Sequence, residues 1–191
     1  MRISTALIIP LMFTASLAHP ASSDFVTFTD AAAWQQAVGT YTTIGFNDFV
    51  QSTIVTEQYA SLGVHFTDGT DVAFAGPTVF PNDGWGLSGH LFQLPDEIRL
   101  TFDTPQRWIA VHFPGSVRLE LYRNGLLMTD QLAFVSGFGG VISSQAFDEV
   151  VIWDRSDGAV FIDDLHFGVP APGALGLLAL AGVSGPGRRR R

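Results

Sequence analysis

Cysteine is absent from all 191 residues, so no disulfide framework, thiol nucleophile or thiolate-ligated metal is open to this chain. Lysine is absent as well, and every basic side chain is an arginine. Long apolar runs are missing: the stretch 6–17 is broken by Pro10 and falls short of the ~20 residues that span a bilayer. Among the five histidines there is no His-x-His pair and no helical His-Glu-x-x-His, and no Gly-x-Ser-x-Gly elbow occurs. The common zinc-protease and serine-hydrolase signatures are thereby excluded. His65, His112 and His166 fall in separate β-type segments and could meet only through tertiary structure. Structural zinc generally takes four N or S ligands, so the sequence assigns these three no shared site.

What is present is strongly divided by charge. All 18 acidic residues lie between 19 and 168, together with only five arginines, which gives that region a formal charge of −13. Such a surface repels nucleic acid and anionic membranes and favours cations. The other five arginines are Arg2 and the terminal run Arg188, Arg189, Arg190 and Arg191.

Both ends read as processing signals. Arg2, the apolar stretch 6–17 and the small residues Ser16 and Ala18 form a signal peptide over residues 1–18, with cleavage by signal peptidase after Ala18. At the other end, residues 169–191 carry Pro170-Ala171-Pro172, an apolar segment at 174–183 and the arginine run. This order resembles the PEP-CTERM sorting signal, with Ala171 where that family usually has glutamate. The resemblance implies a Gram-negative host, an exosortase as second processing enzyme, transient membrane contact through the apolar segment, and a destination in the cell envelope, at the cell surface or outside the cell.

Residues 19–168 suit one domain. Short β-type segments at 25–28, 42–49, 63–66, 72–74, 97–102, 108–113, 117–123, 126–129, 141–147, 149–154 and 159–167 alternate with Gly, Asn, Asp and Pro clusters. Their number and spacing predict an all-β fold, a single jelly-roll-like β-sandwich. One short helix is expected over residues 31–38, capped by Asp30 and ended by Gly39, and a further helical turn over 56–62, stopped by Gly63. Asn124-Gly125 between alternating apolar runs predicts a tight hairpin, and residues 75–94, rich in Gly, Pro and Asn, a long loop. Phe46-Asn47-Asp48-Phe49, the segment from Tyr59 through Gly63-Val64-His65-Phe66, and Ile162-Asp163-Asp164-Leu165 resemble strands of galactose-binding-like jelly rolls and carbohydrate-binding modules.

Two carboxylates break the alternation rule. At period two, Asp163 shares a face with Phe161, Leu165 and Phe167, and Asp48 shares one with Ile44 and Phe46, while Asp164 points the other way. A carboxylate on an apolar face needs hydrogen bonds, a counter-charge or a metal. The jelly-roll resemblance implies a structural Ca²⁺ held by Asp48 and Asp163; otherwise Asp163 caps backbone N–H groups at a sheet edge. In the loop, Asn82, Asp83, Trp85 and His90 combine an indole face with hydrogen-bonding groups, as a sugar ring requires; otherwise Trp85 is a lid on the core. No catalytic residues are assigned. The expected function is a non-catalytic exported envelope or matrix protein that binds exopolysaccharide. The alternatives are a purely structural surface protein and a glycan hydrolase or lyase, which would need a pair of carboxylates across a cleft.

Overall fold

The computed structural model describes residues 25–50, 52–67, 70–74, 85–89, 96–155 and 158–168. The expected leader, the sorting tail with Pro170, Ala171, Pro172 and Arg188–Arg191, and Asn82, Asp83 and His90 lie outside the described residues.

The fold is all-β with one short helix. In chain order the elements are β1 (Phe25–Phe28), α1 (Ala31–Val38), β2 (Thr42–Ile44), β3 (Ile54–Val55), a 3-10 turn (Ala60–Leu62), β4 (Val64–Thr67), β5 (Thr70–Phe74), β6 (Trp85–Ser88), β7 (Glu97–Arg123), β8 (Leu126–Asp154) and β9 (Phe161–Gly168). Asp30 caps α1, accepting the Ala33 N–H at Oδ1 over 2.7 Å, and Gly39 ends it at φ 76°. Gly63 ends the 3-10 turn in the left-handed region. Asn124 and Gly125, at φ 51° and 72°, close the β7–β8 hairpin.

β7 and β8 are each one long strand where the sequence reading expected three. Two of the register shifts fall between Thr101 and Gln106 and between Phe113 and Ser116, bracketing Pro105 and Pro114. A proline removes one ladder donor and bends a strand without ending it, so the prolines mark bulges here rather than turns. Because of these bends the two strands serve two arrays. In the first, β1 pairs with the middle of β8, which pairs with the middle of β7, followed by β9 and β2. In the second, β4 pairs with the start of β7, the end of β8 lies between the start and the end of β7, and the start of β8 forms the outer strand. β9 also continues through β6 and β5 to β3.

The arrays share a sandwich-like core. Ile109, Val111, Val141 and Leu165 from the first meet Leu100, Leu119, Leu121 and Ile152 from the second in one buried cluster. The first array is covered on its other face too, where Trp34 and Val38 of α1 pack on Trp108, Ala110 and Phe138. Burial on both faces explains the unbroken buried run from Trp108 to Val111, which has no period-two pattern.

Two expected elements differ. The strand 42–49 ends at Ile44: Phe46 takes φ 57°, and residues 47 and 48 form a turn. Within the expected loop 75–94, the stretch from Trp85 to Ser88 pairs with β5 and, at Leu87 and Ser88, with β9.

Candidate metal centre

On the α1 side of the first array, β7 and β9 bring His112, Asp164 and His166 together. One ligand atom from each lies within 4.8 Å of the others. His112 Nδ1 stands 3.6 Å from Asp164 Oδ2, and the two imidazole centroids are 5.6 Å apart.

A β-bulge makes this arrangement. Val111 pairs with Leu165 but His112 pairs with Asp163, so Asp164 is the extra residue in β9. Its φ is 38°, a left-handed conformation that non-glycine residues rarely adopt and that here places Asp164 with His166. The Asp164 N–H donates to Asp163 Oδ1 at 2.8 Å, holding the bulge. The bulge also overturns the expected facing of β9: Ile162, not Phe161, joins Leu165 and Phe167 in the core. Asp163 is fully buried and acts on the backbone of its neighbour.

The centre is closed on one side and open on the other. His166 is 5% exposed, with Trp34 and Tyr41 packed against its ring at centroid distances of 5.7 and 5.3 Å. His112 lies on Phe138 at 5.0 Å, and about a fifth of its side chain and of Asp164 reaches solvent. Thr43 Oγ1 is 2.9 Å from His166 Nδ1, which orients the ring and leaves Nε2 for another partner. His166 Nε2 and His112 Nδ1 are both buried and make no hydrogen bond. Burial lowers the pKa of His112 against the opposing pull of Asp164, and burial likewise brings His166 down to about 4. Both rings are therefore neutral near pH 7, the form that offers a lone pair to a metal.

Of the residues singled out from sequence, Asp48 sits exposed in the turn after β2, near Tyr59, whose phenol is pushed up to about 12 by burial and then by the Asp48 charge. The face-sharing that suggested Asp48 as a ligand is thus absent, and the converging set contains neither Asp48 nor Asp163. Trp85 begins β6, paired with Phe74. His65 lies elsewhere, its Nδ1 2.5 Å from Glu57 Oε2 and its Nε2 3.0 Å from Asp103 Oδ1, so both nitrogens are occupied. His112 and His166 meet through the β7–β9 pairing, the tertiary route that the sequence left open, with Asp164 rather than His65 beside them. Asp164 and His166 stand two apart and share a strand face, which was visible in the sequence; the register that brings His112 beside them was not.

No protein-family model, curated protein or solved structure matches the chain.

Proposed function

We propose that this is an exported protein of the Gram-negative envelope or its surroundings whose β-sandwich holds a borderline divalent cation, Zn²⁺ foremost, at His112, Asp164 and His166. The supporting observation is the pair of buried ring nitrogens without hydrogen-bond partners converging with a carboxylate. A buried polar atom without a partner is costly, and a strained bulge residue beside it is the kind of feature that functional sites retain. Two imidazoles and one carboxylate suit zinc and its first-row neighbours, whereas Ca²⁺ and Mg²⁺ favour shells of oxygen. Tetrahedral zinc with bonds of about 2.0–2.2 Å needs ligand atoms roughly 3.4 Å apart. The 3.6 Å pair nearly meets that distance already. Binding rather than catalysis is the proposed role; the leader and the Pro170-Ala171-Pro172 tail support the location, with exopolysaccharide as the surrounding matrix.

The test is thermal unfolding of the chelator-treated protein with Zn²⁺, Ca²⁺ or no metal. An ion that binds only the folded state adds about 2.7 kcal/mol at one hundred times its dissociation constant, so zinc should raise Tm. His166→Gln should remove the rise and Asp48→Asn should leave it. Coincident zinc and chelator curves would overturn the reading, and a response to calcium alone would move the ion to Asp163.

A further inference from the structure

β9 runs between β7 and β2, and its last register pairs are Trp108 with Gly168 and Thr42 with Phe167. Where it stops, an open cavity of about 420 Å³ begins, walled by Thr40, Tyr41 and Thr42 on the β2 side, by Thr104 and Gln106 of β7 on the other, and by Gly168 itself. The cavity therefore lies in line with β9. Carried on residue by residue, the two registers set Val169 beside Thr40, Pro170 beside Gln106 and Pro172 beside Thr104. Those three partners all line the cavity. Gly168 aims the chain at this opening: a Cβ there would lie 2.4 Å from Trp108 Nε1 and 3.4 Å from Thr40 O, so the backbone passes between them only because it carries no side chain.

We propose that the cavity is the seat of the chain's own residues 169–172, which extend β9 between β2 and β7 and hold Pro170-Ala171-Pro172 against the domain. The chemistry of the wall fits this occupant. No charged side chain among the described residues lines it, and the segment carries no charge. Proline offers no N–H to a ladder and is tolerated where pairing has already broken off. Both neighbours meet that condition, since β2 begins only at Thr42 and the β7 register is interrupted between Thr101 and Gln106. The carbonyls of the segment still need donors, which the hydroxyls of Thr40, Thr42 and Thr104 can supply. Docking does not depend on the metal centre. Where the sorting reading also holds, a seated motif is closed to the processing enzyme until the segment opens.

Amide hydrogen exchange of the full-length protein tests this without any substitution. The Val169 and Ala171 amides should exchange at least about tenfold more slowly than in an unfolded chain, because exchange then waits for local opening. Exchange of both at the unfolded rate would show the cavity free for another occupant and overturn the proposal. Thr40→Trp, which fills the cavity from its wall, should abolish the protection at 169 and 171 while that of Leu165 and Phe167 in β9 persists. Thr104→Trp, from the opposite wall, gives the same reading if the first variant does not fold. Protection that survives a filled cavity places the segment elsewhere and overturns the proposal too. In an exosortase-bearing Gram-negative host, pulse-labelled Thr40→Trp should lose its tail faster than the wild type. Equal rates would remove the shielding role, and a tail retained in both chains would remove the sorting reading while the exchange result stands.

Discussion

Gly140 shows how tightly single residues constrain the metal-centre side of the sheet. A Cβ at this position would lie 2.5 Å from Trp34 Cδ1 and 3.0 Å from Phe138 Cε1. Neither ring can withdraw easily, for Trp34 is fully buried and Phe138 nearly so. Gly140→Ala should therefore cost about 1–3 kcal/mol, the usual penalty for overpacking. Since the clash is with Trp34 Cδ1 and Cγ, Gly140→Ala should cost less in a chain that also carries Trp34→Ala, which removes both atoms. Chemical denaturation of the two single variants and the double variant measures that coupling. Strictly additive losses would mean that the glycine serves its backbone rather than the ring above it.

At the scale of elements, what was legible in the sequence depended on whether the deciding force was local. The cap at Asp30, the stop at Gly39 and the Asn124-Gly125 hairpin are set by chemistry within a few residues, and all three form as expected. β7 was divided too finely because proline looks the same in a bulge as in a turn, and β8, which has no proline, because its glycine-rich stretch 136–140 reads as a turn yet stays paired with β7. The bulge at Asp164 depends on strand pairing across more than fifty residues, beyond what alternation along one strand conveys. A further device at this scale is the clamp in which His65 of β4 joins Glu57, before the 3-10 turn, to Asp103 of β7. Hydrogen bonds to Glu57 and then Asp103 raise the His65 pKa above its ordinary value of 6.5. A raised folded-state pKa means that the folded protein holds the proton more tightly. The clamp's contribution is therefore full below about pH 6.5 and is lost as pH rises through the folded-state value. Melting curves of wild type and His65→Gln, recorded in chelator between pH 6 and pH 9, should differ most at the acidic end and converge at the alkaline end. A constant separation across that range would show that the clamp does not titrate.

For the whole molecule, the distribution of charge sets residues 19–168 apart from the two ends of the sequence. The full chain carries −8, but residues 19–168 carry −13, and the difference is Arg2 with the four terminal arginines. Near an anionic membrane face each such arginine contributes about 1 kcal/mol of attraction, while the domain is repelled. The apolar segment 174–183 has ten residues, about half of what spans a bilayer, so under the proposed export it would hold the chain at the membrane only briefly. Under the proposed sorting, an acidic domain held by a short apolar segment and a basic tail would be released once the connection is cut, and Pro170-Ala171-Pro172 stands at that junction in the sequence. The mature protein should therefore begin after Ala18, end near Pro170 to Pro172, and migrate as a more acidic species than the full chain. Intact-mass spectrometry of the form recovered from the envelope or medium of an exosortase-bearing Gram-negative host gives both ends in one measurement. Loss of residues 1–18 together with the arginine run is the expected result. A mature form that retains Arg191 would rule out cleavage at the proline motif and leave the tail as a permanent basic anchor.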